Sequence, residues 1–204
     1  MKKLIAAITV SFMMLGMLSG CKENLDISKF NMLKEYPFDM NTEKVIKKAD
    51  KQFGEKSRKL YEKNSQEKVE TLEEANRIDY DGVTFFKGYL CDITFFFDNY
   101  KDGNDLLDTI FWTFYCEPEE GPALETEIEQ YLDGLYGKSY SVSERSVVKY
   151  RSVGEIDIAT DPYNKELELD WDDDGKDEGC FTIYYTDNAK LKERQQKDQK
   201  EKGQ

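Results

Sequence analysis

Three aromatic-rich runs constrain the fold more than any other feature of this sequence. They are dense in Phe, Tyr, Thr, Ile and Trp, the residues that pleated sheets favour. The runs cover residues 83–90, 91–97 and 106–116. The intervening residues 98–105 are Asp, Asn, Gly and Lys with one Tyr, a turn-forming composition. The segment therefore predicts neighbouring antiparallel strands.

Two helices flank these runs. Apolar residues recur at helical spacing over 42–53, and Asn41 or Thr42 can cap the N-terminus of that helix. A second helix is expected from Gly121-Pro122, because proline is tolerated in a first turn, and Gly137 is a plausible C-terminal cap. Its apolar face is formed by Leu124, Ile128, Tyr131, Leu132 and Leu135.

Four further strands are predicted after the second helix, over about 146–151, 154–159, 165–171 and 180–186. The order of helix, three strands, helix and four strands indicates an α+β fold over residues 38–187. We expect two helix-plus-antiparallel-sheet units in tandem, 38–118 and 119–187, with the helices packed on one face of the sheets. The charged segment 188–204 is expected to be either a solvated helix or a disordered tail.

Two short motifs carry a family resemblance. Phe38-x-Met40-x-x-Glu43-x-Val45 stands at a helix start, and Leu132-x-x-Leu135-Tyr136-Gly137 stands at a helix end. With the tandem order, the chain over about 38–186 resembles beta-lactamase-inhibitor-protein-like lipoproteins and the related SmpA/BamE outer-membrane assembly lipoproteins. The resemblance implies protein binding or scaffolding in the cell envelope rather than catalysis.

The N-terminus predicts export. Lys2 and Lys3 precede an uncharged, mostly apolar run over 4–18, which is shorter than the twenty or so residues that span a bilayer. The ending Leu18-Ser19-Gly20-Cys21 resembles the lipobox of bacterial lipoproteins. That resemblance implies a signal peptide over 1–20 and a lipid on Cys21, followed by a tether over 21–37. The chain is then held at a cell or outer membrane, outside the cytoplasm.

Charge is distributed unevenly. Residues 81–187 hold eight basic and twenty-six acidic side chains, a net charge of −18. Such a region repels phosphates, so nucleic acid is not an expected partner. An acidic surface suits cations, basic peptides or simple solubility. The expected partners are the membrane, through the lipid, and a protein of unknown identity.

Nucleophilic chemistry based on histidine is excluded, since the chain contains no histidine. Beyond Cys21, the cysteines are Cys91, Cys116 and Cys180, and no Cys-x-x-Cys spacing occurs. If 91–97 and 106–116 form a hairpin, Cys91 lies near Phe114 and within reach of Cys116. The two are then either a disulfide or buried free thiols.

An acidic hairpin is predicted near the C-terminus, closed by the turn Asp161-Pro162-Tyr163-Asn164. This register puts Ile156 opposite Leu169 and Ile158 opposite Leu167. On its other face it places Glu155 opposite Asp170 and Asp157 opposite Glu168, and such like-charge pairs destabilise a sheet. A cation, a basic partner, nearby lysine and arginine side chains, or screening by water and salt would offset the repulsion.

A calcium loop is the candidate metal site. Asp170, Asp172 and Asp174 alternate ahead of Gly175, as in the first half of an EF-hand loop, but the twelfth position is Phe181 rather than glutamate. The alternatives are a calcium loop outside the EF-hand family and an acidic hairpin tip. No other cofactor is expected.

Protein binding is the function that the sequence favours, without enzymatic activity. The second hypothesis is a calcium- or cation-binding module in the acidic hairpin 155–178, and the third is a carboxylate-dependent hydrolase. An exposed aromatic patch on the sheet face opposite the helices would favour protein binding.

Overall fold

The described residues form an α+β arrangement of one large mixed sheet and three named α-helices. It was obtained as a computed structural model that describes residues 25–62, 67–72, 74–98, 106–117, 119–142, 147–162, 179–190 and 192. The helices are α1 (Met32–Glu35), α2 (Thr42–Ala49) and α3 (Gly121–Tyr136). The strands are β1 (Leu25–Asp26), β2 (Arg58–Tyr61), β3 (Arg77–Phe86), β4 (Tyr89–Asp98), β5 (Leu106–Cys116), β6 (Tyr140–Ser141), β7 (Lys149–Val153), β8 (Ile156–Pro162) and β9 (Gly179–Asp187).

The strands form a single nine-stranded sheet in the order β1-β3-β4-β5-β9-β8-β7-β6, with β2 also paired to β3. The β1–β3 pair is parallel and the other pairs are antiparallel. At its centre β5 pairs with β9, where Trp112 lies opposite Ile183. The two halves of the chain thus share one continuous sheet.

Helix α2 begins as the sequence predicts, because the Asn41 Oδ1 atom accepts a hydrogen bond from the Lys44 backbone N at 3.1 Å. The helical path continues through one π-helical turn to Gly54. Gly54 has a φ of 97°, a left-handed value that glycine adopts without a Cβ penalty, and it redirects the chain toward β2. The helix predicted over 42–53 is confirmed.

Helix α3 matches its predicted bounds, whereas Leu135 of the predicted apolar face is exposed. Pro122 lies in its first turn, and Gly137 ends it with a φ of 85°. The buried residues Leu124, Ile128 and Leu132 recur at helical spacing and face the sheet.

Both helices lie on the same face of the sheet. Phe53, after α2, contacts Tyr80 of β3 with 5.4 Å between ring centroids, and Tyr131 of α3 contacts Trp112 of β5 at 5.9 Å. Tyr80 and Trp112 flank Ile93 in register on either side of β4, so their side chains point to one side of the sheet. The hydrophobic core is the layer between this face and the helices.

The first hairpin corrects a predicted boundary. The sequence placed a strand break between Leu90 and Cys91, whereas β3 and β4 are joined by a turn at Lys87 and Gly88, with φ values of 49° and 101°. Two consecutive residues with positive φ match the twist of the flanking strands and make a tight hairpin. The aromatic run hid this turn because only one of its two residues is a glycine.

The second correction concerns the predicted acidic hairpin. Strand β8 is paired on one side with β7 and on the other with β9, which places Asp157 opposite Thr186 and Ile158 opposite Tyr185. No edge of β8 is free for residues 167–170, so the pairing of Ile156 with Leu169 is wrong. The predicted like-charge pairs of Glu155 with Asp170 and of Asp157 with Glu168 depend on the same register, so they are wrong as well. The predicted strand 165–171 itself lies outside the described residues.

The third correction concerns the tether predicted over 21–37. From Leu25 onward the chain belongs to the folded unit, since β1 pairs with β3 and the side chains of Ile27, Met32 and Tyr36 are fully buried. The hydroxyl group of Tyr36 donates to the Gln52 side chain. The sequence hid this layer because its apolar residues are separated by lysines and lack a regular period. Residues 1–24 and most of 188–204 lie outside the described residues.

Candidate functional site

The sheet face opposite the helices, called here the open face, carries the candidate site. Strand alternation places every second side chain on this face. Within the described part of the chain, both long helices pack on the other side. The central strands β4, β5, β9 and β8 contribute half-buried side chains to the open face. These are Asp92, Thr94 and Phe96; Thr109, Phe111, Thr113 and Tyr115; Thr182, Tyr184 and Thr186; and Asp157, Ala159 and Asp161.

An aromatic row crosses the middle of the open face. The ring of Phe111 lies 4.6 Å from that of Phe96 and 4.7 Å from that of Tyr184, measured between centroids. Phe111 and Tyr184 are directly opposite each other in the β5–β9 pair and meet edge to face. Tyr150 of β7 extends the row, with Ala159 between it and Tyr184. An exposed aromatic patch on this face is the predicted sign of protein binding, whereas the rings of Phe96, Phe111 and Tyr184 are half-buried rather than fully exposed.

A cation lies at one end of this row. The Arg77 guanidinium carbon is 4.7 Å from the centre of the Tyr61 ring and 5.9 Å from that of Phe96. Arg77 also binds Asp79 in a bidentate pair, with Nε to Oδ1 at 2.9 Å and Nη2 to Oδ2 at 2.5 Å. Burial raises the pKa of the Asp79 carboxyl group even though Arg77 opposes this shift. The side chain of Arg77 is therefore held in place by contacts with other residues of the open face.

Asp92 lies beside the row, next to a bulge in β3. Its carboxylate accepts a hydrogen bond from the Tyr115 hydroxyl at 2.6 Å and another from the Gly82 backbone N. Burial raises the pKa of Asp92, and the nearby Asp81 and Asp79 act in the same direction, against the two hydrogen bonds. Gly82 has a φ of 57°, so the bulge that delivers this N–H suits a residue without a Cβ.

Asp161 lies on the far side of the same face. It is opposite Thr182 in the β8–β9 pair, and Thr182 is in turn opposite Thr113, with 3.5 Å between the two hydroxyl oxygens. Burial raises the pKa of Asp161. A row of Asp92, Thr113, Thr182 and Asp161 thus runs across four strands, parallel to the aromatic row.

Cys91 and Cys116 are both buried free thiols, so the structure adopts the second of the two predicted alternatives rather than the disulfide. The predicted register is confirmed, since Cys91 lies directly opposite Phe114. Cys116 is two residues farther along β5, which makes it a diagonal neighbour of Cys91 rather than a direct one. The sulfur of Cys91 instead donates to the Tyr89 carbonyl oxygen at 3.2 Å.

The predicted calcium ligands Asp170, Asp172 and Asp174 lie outside the described residues, as does most of the segment 155–178. In the parts of the chain that the structure does describe, no group of three acidic or cysteine side chains is arranged to hold a metal ion. The calcium site and the hydrolase hypothesis stay predictions.

The open face was not identified as a site from the sequence, although the signal was present. Phe96, Phe111 and Tyr184 alternate with fully buried neighbours, and in an antiparallel strand such alternation separates a core face from an outer one. Continuous aromatic runs conceal it, because Phe95, Phe96 and Phe97 read alike while only Phe96 faces outward.

Comparisons with known proteins give no relative for this chain: no family model, no curated protein and no solved structure matches it. Among the helices within the described ranges, none combines the length and apolar character needed to cross a membrane.

Proposed function

We propose that this protein is a lipid-anchored, extracytoplasmic cell-envelope protein that binds a protein partner through its open face. The lipobox-like ending and the preceding signal sequence support the proposed location at a membrane, outside the cytoplasm. The observation that carries the binding role is the row of Phe96, Phe111 and Tyr184 on the open face. The three rings are contiguous and half-buried, and aromatic residues of this kind are enriched in protein interfaces.

The composition of the open face also supports its use as a protein-binding surface. Threonine and aspartate side chains surround the aromatic row, which gives a small apolar centre with a polar rim, as in a transient interface. Phe111 and Tyr184 meet edge to face, at an interplanar angle of 74°. Two such rings do not form a coplanar platform, which is the arrangement that stacking of flat ligands would require.

The tandem organisation belongs to the same proposal. Helix α2 is followed by β2 to β5, and α3 by β6 to β9, so within the described residues each half is a helix followed by four strands. The last strand of each half pairs antiparallel with its counterpart at the centre of the sheet. An internal two-fold relation of this kind supports a duplicated unit, as in the beta-lactamase-inhibitor-protein-like lipoproteins that the sequence resembles.

Site-specific photocrosslinking tests the binding role. A photoreactive phenylalanine analogue replaces Phe111 or Tyr184 in the full-length protein, expressed in its own membrane. The matched control places the same analogue at Lys47, an exposed residue of α2 on the helix side. We expect a protein adduct of one defined mass from both open-face positions and none from Lys47. Adducts only from Lys47, or the same mixture from all three, would contradict the proposal.

A further inference from the structure

Charge on the open face is one-sided once its internal ion pairs are taken into account. Within the face itself, Lys59 forms an ion pair with Asp81 and Arg77 forms one with Asp79, and Lys59 interacts with Asp92 only at longer range. Asp92, Asp157 and Asp161 remain. Among the described residues, no lysine or arginine nitrogen lies within 4 Å of their carboxylates.

The geometry of two of these acids fixes a spacing. Asp92 and Asp161 stand at the two ends of a row whose middle is the Thr113–Thr182 pair. Three inter-strand steps separate them, which corresponds to about 14 Å between their backbones. The aromatic row of Phe111 and Tyr184 runs alongside. A ligand that lies across the strands therefore meets an acid, a short threonine step with aromatic rings beside it, and a second acid.

Both acids are held in surroundings that favour a cationic neighbour. Each is half-buried and its pKa is raised, chiefly by burial. The ionised forms are thus poorly solvated in the free protein, and an arriving cation would relieve that deficit. Asp79, whose pKa is raised by the same cause, already has such a cation in Arg77. In the part of the chain that the structure describes, neither Asp92 nor Asp161 forms an ion pair of this kind.

We infer that the partner segment is basic: a lysine- or arginine-bearing stretch of protein that lies across the open face, with cationic side chains at Asp92 and Asp161 and apolar side chains on Phe111 and Tyr184. This inference rests on the proposed function and names the chemistry of the partner. Charge complementarity is the argument for this occupant. An acidic segment or a nucleic acid would instead bring more negative charge to an already acidic face.

The spacing makes the inference specific. In an extended chain, residues i and i+4 lie on the same side and are about 13 Å apart, close to the separation of the two acids. Residue i+2 points to the same side and falls over the threonine pair, where its side chain reaches the neighbouring rings of Phe111 and Tyr184. A segment with lysine at every fourth residue and valine between the lysines matches this pattern, whereas lysines three apart point to opposite sides.

Two fluorescent peptides test the inference by anisotropy, with the purified full-length lipoprotein in detergent micelles. The first is three Lys-Thr-Val-Thr repeats closed by a lysine, and the second has the same composition with the lysines three apart. Asp92→Asn/Asp161→Asn is the test variant. Glu43→Gln/Glu119→Gln, at exposed glutamates away from the open face, is the control with the same net charge.

We expect the test variant to weaken binding of the first peptide at least fivefold, while the control variant changes it less than twofold. Binding should also weaken about tenfold between low and physiological ionic strength, because exposed charges are screened. The second peptide should bind the wild type several-fold more weakly than the first. Asp161→Asn alone should give an intermediate loss, which keeps the test valid if the Asp92 change disturbs the bulge in β3.

Four outcomes would overturn the inference, the last of them together with the proposed function. Equal losses in the test and control variants would mean general attraction to an acidic protein. Equal binding of both peptides would mean that the separation of the lysines does not affect recognition. If Tyr184→Thr abolishes binding while the Asp variants bind normally, the face recognises an apolar rather than a basic segment, and the proposed function stands without this inference. If neither Tyr184→Thr nor the Asp variants alter binding, and the photoreactive analogue gives no adduct at Phe111, the open face is not the docking site.

Discussion

Arg151 of β7 and Glu129 of α3 join α3 to the sheet, since the Arg151 Nη2 atom lies 2.8 Å from Glu129 Oε2. The arginine side chain is fully shielded from solvent. The same nitrogen lies 2.6 Å from Asp133 Oδ1, and the Arg151 Nε atom donates to the Gly137 carbonyl oxygen at 2.9 Å. One buried cation thus binds two acids of α3 and the carbonyl group that ends the helix.

Removal of this cation should be costly. We expect Arg151→Ala to lower the free energy of unfolding by about 3–5 kcal/mol, because two acids lose a buried partner. Arg151→Lys should recover only part of the loss, since an ammonium group cannot donate in the forked geometry of the guanidinium. Urea denaturation of the full-length protein measures both variants.

The matched control for Arg151 is Lys87, whose exposed ammonium pairs with Glu127 of the same helix. Exposed pairs contribute little, so Lys87→Ala should cost about 1 kcal/mol or less. A similar cost for the two alanine variants would mean that the buried network does not hold α3 in place.

The same network predicts an acid-sensitive stability. Burial opposes ionisation of Glu129, but hydrogen bonds from Arg151, Thr160 and Ser139 outweigh it, so the pKa of Glu129 lies below its ordinary value of 4.5. The native state then binds fewer protons than the unfolded state, and stability rises with pH across this range. The contribution is fully present above pH 4.5 and is lost as the pH falls through the lowered native pKa.

Urea midpoints at pH 7, 5, 4 and 3 test this linkage. Glu129→Gln should flatten the decline between pH 5 and pH 3 while it lowers stability at pH 7. The exposed Glu119→Gln variant should keep the wild-type profile. An unchanged decline in Glu129→Gln would assign the acid sensitivity to other carboxyl groups.

Truncation of two adjacent residues of β5 should lower the free energy of unfolding by very different amounts. Trp112 is fully buried beneath α3, whereas Phe111 lies on the open face. Trp112→Ala should cost about 3–5 kcal/mol of unfolding free energy through loss of core packing. Phe111→Thr exchanges one good strand former for another and should cost about 1 kcal/mol or less. Equal costs would mean that the open face is covered in the folded protein.

The fold was predictable to the extent that local chemistry determines it. Asn41 and Gly137 mark helix ends through side-chain capping and a positive φ, and both could be recognised within a few residues of sequence. The partner of β8 could not. Ile156 and Ile158 are compatible with any strand that offers apolar residues at every second position. The turn predicted at Asp161-Pro162 suggested the wrong one, because both residues continue β8. The β5–β9 pair depends on contacts about seventy residues apart.

The candidate site was less predictable than the fold for a related reason. A site on a sheet face is assembled from several strands, so Asp92 and Asp161 become neighbours of one threonine pair only after the strand order is known. The sequence directed attention to acids adjacent along the chain, Asp170, Asp172 and Asp174, instead. Their role stays a prediction, which thermal unfolding with calcium and then with a chelator would test.

The two described thiols should be unreactive in the native protein. Burial raises the pKa of the Cys91 thiol to about 12, and burial also raises that of Cys116. Because the thiolate is the reactive form, both should resist alkylation at pH 8 and become labelled only in denaturant. Peptide mapping after differential alkylation of the full-length protein measures this. A Cys91–Cys116 bridge in the non-reduced map would instead support the disulfide alternative.

Cys21 should determine where the protein resides. If the sulfur carries a diacylglycerol, two or more acyl chains hold the chain at the membrane far more firmly than one, for which binding is only marginal. We expect Cys21→Ala to abolish incorporation of labelled palmitate and to block cleavage after Gly20, since the lipobox cysteine is lost. The matched control, Cys116→Ala, should keep both the label and the cleavage. Palmitate labelling in Cys21→Ala, or an unlabelled wild type in the soluble fraction, would show that the leader is a plain secretory signal.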